Sequence, residues 1–373
     1  MRVGDKSYQT IWLHPEDEQV ISVIDQRFLP FEFRVEDLHT PAEVFMAIRE
    51  MHVRGAPLIG VTAAAGMYLA LFQLPDEKEI TAWLEEQALY LKSARPTAVN
   101  LSMAVDRQLR KILLAPTVEE MRAASKEDLQ AFIAEEIDNC RKIGEYGLPL
   151  IEEISRHKKG NPVNILTHCN AGWLACIDFG TATAPIYMAH DAGIPVHVWV
   201  SETRPRNQGF RLTAWELKQH GVPYTLVTDN ACGHILQKGM ADMVITGTDR
   251  TTLNGDVANK VGTYLKAIAA KANGVPFYVA VPSTSIDWTM DDGAAIPIEE
   301  RSENEVRFAD GFANGKAQAV RLAPLHSPVF NPAFDVTPGR LLTGLITEHG
   351  ICKAERDDLL RLFPGKVPYI KEK

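Results

Sequence analysis

Between Met243 and Tyr264 the chain carries residue types that could do acid–base chemistry beside an anion. A short apolar run, Met243–Val244–Ile245, ends in small and polar residues and then Asp249; Asn259 and Lys260 precede a helical pattern. A carboxyl group at the end of a buried strand, with an amide and an ammonium opening the next helix, can hold an anion and move a proton beside it. Taken alone, each residue also has an ordinary explanation. Asp249 could sit in a Thr-Asp-Arg turn with an exposed ion pair of little value, and Lys260 could be a solvated helix end. Cys169, which closes the apolar run 163–169, could be a small buried hydrophobe. The Asn170–Ala171–Gly172 turn that follows could instead expose its sulfur to a ligand.

The elements that must position these residues alternate from residue 163 onward. Apolar runs at 163–169, 196–201, 224–228, 243–247 and 277–282 each read as a short strand, with helical patterns at 178–192, 208–220, 231–240 and 262–273 between them. Such near-continuous apolar strands, spaced as βαβ units, predict a Rossmann-like parallel sheet buried on both faces. Ligands of such sheets bind outside the carboxyl ends of the strands. That places His168–Cys169–Asn170, Glu202–Thr203–Arg204 with Arg206 and Gln208, Thr228–Asp229–Asn230, Asp249 and Ser283–Thr284–Ser285 at one edge. Before residue 157 the chain is mostly helical, with a small β start over 17–34 around Leu29–Pro30. Thr40–Pro41 caps one helix, and others are predicted over 55–74, 76–94, 98–114 and 117–156. The expected fold class is α/β: a mostly helical N-terminal domain over 1–156 and a Rossmann-like domain over 157–373, divided at the charged stretch RHKKGNPVN.

Several function classes are excluded by pattern. A net charge of −9 argues against a nucleic-acid-binding surface. No glycine-rich dinucleotide fingerprint, phosphate-binding P-loop or His-Glu-x-x-His motif occurs. His168, Cys169, Cys232 and His234 lack structural-zinc spacing. Five cysteines without a Cys-x-x-Cys pair predict a reducing compartment, and the N-terminus has no signal-peptide pattern. From Gly55 to Leu74 no residue is charged, a run long enough to cross a bilayer. Its Ala and Gly content, Pro57, and the absence of aromatic flanks predict a buried core helix instead. The pattern alone supports an α/β protein that binds a small anionic ligand.

Six blocks carry more. RGAPLIGVTAA (54–64), RPTAVNL (95–101), THCNAG (167–172), SETRPRNQGFRLTAWEL (201–217), VITGTDR (244–250) and GDVANKVGTY (255–264) together resemble the methylthioribose-1-phosphate isomerases, with similar spacing continuing to FDVTP at 334–338. The wider family includes ribose-1,5-bisphosphate isomerases and regulatory subunits of a translation-initiation exchange factor. The resemblance implies aldose–ketose isomerisation in methionine salvage by a cytoplasmic homodimer. It also implies a sugar-phosphate substrate, no nucleic-acid or membrane partner, and no metal or organic cofactor. At matching positions it implies Cys169 and Asp249 as the catalytic pair, and Arg54, Gly55, Ala56, Arg95, Gln208, Asn259 and Lys260 as substrate-binding residues. Apolar residues near Trp12, Phe28 and Met103 are candidates to receive the substituent on the sugar's C5.

Overall fold

The computed structural model describes residues 1–75, 79–95 and 99–366. Its centre is a seven-stranded sheet in the spatial order 350–352, 344–347, 277–280, 243–246, 163–167, 196–201, 224–227. All neighbouring pairs run parallel except the edge strand 350–352, which is antiparallel to 344–347. The five apolar runs read from the sequence are all strands. Gly344–Thr347 and Gly350–Cys352 are additional. No helical pattern separates them from the fifth strand in the expected βαβ rhythm, so the alternation that identified the others is missing there. Strands 163–167, 196–201 and 224–227 progress to one side. The chain then returns to lay 243–246 on the other side of 163–167, pairing Leu166 with Val244. The strand order reverses at that point.

Helices occupy most of residues 41–157, and each has a local cause. Thr40 caps Pro41–Arg49, its side chain accepting from the Glu43 backbone N–H. Val118–His157 is one 40-residue helix, opened by Thr117, which accepts from the Glu120 N–H while its hydroxyl donates to the Glu120 carboxylate. Lys92 lies in the last turn of Ile80–Lys92 as expected; Asp76 and Glu77, expected in its first turn, lie outside the described residues, as does the Pro96–Thr97 turn.

The uncharged segment forms the helix Ala56–Ala70, in which all fifteen residues are buried. It packs against Pro41–Arg49, Val99–Leu113 and Val118–His157. A helix without a polar face needs such all-round cover. Among the described residues no helix is long and apolar enough to cross a membrane.

The β start is a three-stranded antiparallel sheet, Ile11–Leu13, Ile21–Ile24 and Val35–Leu38, with Leu29–Pro30 between the last two strands. A four-stranded mixed sheet, in the order 286–287, 250–252, 257–260, 334–337, caps the carboxyl edge of the main sheet. This small sheet corrects one expectation. Asn259 and Lys260 do not sit at a helix start; they end the strand Val257–Lys260, paired across to Asp335 and Phe334. The helix begins later, at Thr263, after Gly262 turns the chain at φ 102°. Asn259 and Lys260 are therefore placed by sheet pairing rather than by a helix end.

Candidate active site

Cys169 and Asp249 follow the strands 163–167 and 243–246, which are neighbours where the strand order reverses. Open α/β sheets leave a crevice at that reversal, because the crossover helices depart to opposite faces. A cavity there is lined by Arg54, Gly55, Ala56, Cys169, Asp249 and Asn259 among others. A second cavity shares Ala56 and Asp249 with it and adds Arg95, with Ile59, Ala258, Ile296, Pro297 and Phe334 forming an apolar wall. Gln208 lines a third, adjoining at Arg54. Lys260 is buried close enough to Cys169 and Asp249 for its charge to act on both.

Cys169 is presented on a strained turn. Its φ is +65°, in the left-handed region that non-glycine residues rarely adopt. Such a conformation costs on the order of 1–3 kcal/mol and persists only where neighbours enforce it. Here the Thr203 hydroxyl oxygen accepts from the Cys169 N–H at 2.8 Å, and the Thr213 hydroxyl donates to its carbonyl at 2.7 Å.

Arg54 reaches the same crevice from the opposite side. Its Nη1 donates to Asn170 Oδ1 at 2.5 Å and its Nη2 to the Asn170 carbonyl at 2.8 Å. The next residue, Gly55, has φ +99°, and a Cβ there would lie 2.3 Å from the Ala175 carbonyl oxygen. Only glycine lets the start of helix 56–70 come this close to the turn carrying Cys169. No side chain caps that helix, and since Pro57 carries no N–H, the backbone N–H of Ala56 is the group at its start that can meet an anion.

Burial governs the electrostatics. It raises the Asp249 carboxyl, against the pull of Lys260, Arg54 and Arg95. Asp249 is partly accessible from the cavity it lines, yet it lies deep enough for desolvation to dominate. Burial likewise raises the Cys169 thiol, opposed by Arg54 and Lys260, and lowers Lys260 and Arg95. Arg95 stands 3.6 Å from Glu299. Its Nε, and Gln208 Oε1, have no hydrogen-bond partner within the described protein. Buried polar atoms without partners are uncommon in native folds, and these two belong to residues that line the cavities at the crevice. A polar ligand would satisfy them.

Homology narrows what that ligand can be. A model of the Initiation factor 2 subunit family matches residues 52–354. Methylthioribose-1-phosphate isomerases from Desulfatibacillum aliphaticivorans and Brucella anthropi are 56% and 57% identical to the chain, each covering 98% of it and all of the relative. The chain belongs to the initiation factor 2 subunit family, among its methylthioribose-1-phosphate isomerases. Solved members of this family share the fold. A 5-methylthioribose 1-phosphate isomerase from Pyrococcus horikoshii is 37% identical with a TM-score of 0.82, covering 96% of this chain and 97% of its own. A translation initiation factor eIF-2B delta subunit from A. fulgidus is 36% identical with a TM-score of 0.79, covering 96% and 100%.

The rest of the strand-end residues do other work. His168 bonds Val261 O and Ser201, Asp229 bonds Ser201 and Lys266, and Arg206 pairs with Glu305. Ser283 and Thr284 face Glu348 and Glu136, and Ser285 faces Asn100. The expected receivers of the C5 substituent are elsewhere too. Trp12 packs on Tyr8, Phe28 lies under the Arg34 guanidinium, and Met103 packs on the helical core. The apolar wall comes from Ile59, Ile296, Pro297 and Phe334. Ile296 and Pro297 fall in a stretch without periodicity, so no sequence signal marked them. Asn170, Thr203 and Thr213 were equally unmarked as supports, although they lie inside the recognisable blocks. Among the described residues, Asp25, Glu36 and His52 form a grouping within metal-ligating distance, with Asp25 already bonded through both oxygens to Arg27.

Proposed function

We propose that the protein is an aldose–ketose isomerase that converts 5-methylthio-D-ribose 1-phosphate to 5-methylthio-D-ribulose 1-phosphate. The observation that carries this is the placement of Cys169 and Asp249 at the strand-order reversal, ringed by Arg54, Arg95 and Lys260, in a chain 56% identical over its length to proteins of that name.

The phosphate on C1 prevents the furanose from opening as a free hemiacetal, so the C1–O4 bond must be broken with the phosphate kept in place. Arg54, Arg95 and Lys260 supply the opposing charge, with the backbone N–H of Ala56 and the polar side chains of Asn259 and Gln208. Asp249, whose carboxyl is raised by burial, is suited to hold a proton and give it to O4 as C1–O4 cleaves. The electron deficiency left at C1 is then filled from C2. In one route the C2 hydrogen moves as a hydride to C1 while the C2 hydroxyl loses its proton, leaving the ketone. In the other, Cys169 as thiolate takes the proton from C2 and the resulting enol is reprotonated at C1. Burial raises the Cys169 thiol against the pull of Arg54 and Lys260, and the fate of a deuterium at C2 separates the two routes. In a dry cavity each charge acts more strongly than in water.

The apolar wall of Ile59, Ile296, Pro297 and Phe334 suits a methylthio or methyl group at C5, in a cavity that Arg95 and Arg250 also line. Incubating the protein with 5-methylthioribose, 5-deoxyribose and ribose 1-phosphates and following ketose formation by NMR tests the reading. Absence of turnover of all three by folded protein sinks it. The similarity to the A. fulgidus initiation-factor subunit supports a second reading, that of a non-catalytic regulatory subunit. The Cys169–Asp249 pair in the crevice favours the enzyme. Action in methionine salvage, a cytoplasmic location, a homodimer and the division into domains at 156/157 belong to the same proposal. Light scattering tests the dimer and limited proteolysis the division.

A further inference from the structure

Behind the turn that carries Cys169 lies a carboxylate that the reaction described above does not use. Glu216, in the helix Ala214–His220, is fully buried. Its Oε1 accepts from Asn170 Nδ2 at 2.9 Å and from the Leu174 N–H at 3.0 Å. Its Oε2 accepts from the Trp173 N–H at 3.1 Å and the Tyr187 hydroxyl at 2.9 Å. The turn is wrapped so tightly on this group that a Cβ at Gly172 would lie 1.7 Å from Oε2.

Four donors converge on two oxygens, and among the described residues no cation pairs with them. A carboxylate satisfies all four; an amide has one oxygen and would turn an N–H group toward other donors. The arrangement also decides which way Asn170 faces. Its amide nitrogen is directed to Glu216 and to Thr213 Oγ1, at 3.2 Å. Its Oδ1 is therefore left for Arg54 Nη1, while its backbone carbonyl takes Arg54 Nη2. One edge of the guanidinium is thus fixed, and the rest of the fork is directed by that constraint. Burial lifts the Glu216 carboxyl to about 7, opposed by the Asn170, Leu174 and Tyr187 donors and by the Arg54 charge.

We propose that Glu216 is a positioning residue for substrate binding, acting through Asn170 to fix the direction in which Arg54 presents its guanidinium to the substrate phosphate. It rests on the isomerase reading and on the place of Arg54 in it. A buried carboxylate could also serve stability alone, so the test must separate the two. Steady-state kinetics at pH 8, where the group is mostly ionised, are measured for Glu216→Gln in the wild-type background and in an Arg54→Lys background. The expected result is a rise in KM of about tenfold with kcat within about threefold, shrinking to less than about twofold in KM when Arg54 is already replaced. An unchanged KM, an equal KM change in both backgrounds, or a fall in kcat alone overturns the proposal. Asn170→Ala removes both the donor to Glu216 and the acceptor for Arg54 while leaving Glu216 in place, and keeps the test readable if Glu216→Gln does not fold. It should raise KM to a similar extent, and an unchanged KM overturns the inference. Wild-type protein that turns over none of the sugar phosphates would sink the isomerase reading itself. An active wild type with unaffected variants sinks only the role of Glu216.

Discussion

Cys169 and Asp249 are brought together by strand pairing: they follow 163–167 and 243–246, whose register sets Leu166 against Val244. Some eighty residues of chain separate them in sequence. The pairing makes them neighbours at the one place in the sheet where crossovers diverge and open a crevice. Their chemistry is set by the same placement, since burial raises both groups and the cations around them oppose it.

Replacing Asp249 by Asn should lower kcat by roughly 10²–10⁴-fold, the range attributed to general acid–base groups. Stability should move the other way or not at all. An acid whose folded value is raised contributes stability below its unfolded value and loses it as pH rises through the folded one. At neutral pH the amide removes that loss, so the melting temperature of Asp249→Asn should equal or exceed that of the wild type. A variant that is both inactive and strongly destabilised would show that Asp249 holds the local fold rather than the proton.

Substrate deuterated at C2 addresses the role of the thiol. Transfer as hydride predicts a ketose that keeps the label at C1, with no solvent hydrogen entering. Cys169→Ser should lose most turnover and keep the fold, since Thr203 and Thr213 hold the turn through the backbone of Cys169 and not its sulfur. Complete loss of label to water, read by NMR, would return Cys169 to the part of a base.

The arginines should report in KM. Arg54→Ala and Arg95→Ala each remove charge-assisted hydrogen bonds, worth about 1.5–3 kcal/mol, so KM should rise by roughly 10–150-fold. Arg54→Lys should recover little of this, because one ammonium cannot reach Asn170 Oδ1 and the Asn170 carbonyl while facing a phosphate. Phosphate inhibition constants that stay unchanged in all three variants would place the anion elsewhere.

A different pH dependence comes from Glu136, fully buried in the helix 118–157 and pushed up to about 8 by desolvation. Its folded value lies above its unfolded one, so its contribution to stability declines as pH rises from about 4.5 through 8. Glu136→Gln should therefore gain stability relative to wild type as pH rises, by about 5 kcal/mol at most above pH 8. Thermal melts at pH 5 and pH 8.5 check this. A difference between the two proteins that does not grow with pH contradicts it.

Periodicity and capping were enough to read much of the fold. Thr40 announces its helix through a local hydrogen bond, and the five apolar runs announce strands because burial on both faces requires near-continuous apolar residues. Gly344–Thr347 escaped because no helix introduces it. Asn259–Lys260 was misread because the small sheet holding it is built from distant partners at 286–287 and 334–337.

The sequence by itself determined which groups the site could use. Six blocks specify the acid, the thiol and the cations, and an uncharged run with no polar face had to become a buried helix. Only the tertiary structure decided what those groups are to one another. Strand order, pairing register and desolvation are non-local, and they set the Cys169–Asp249 juxtaposition, the placement of Lys260 and the raised carboxyl of Asp249. The wall of Ile296, Pro297 and Phe334 follows the same rule, since it forms only when a region without local pattern folds back over the sheet edge.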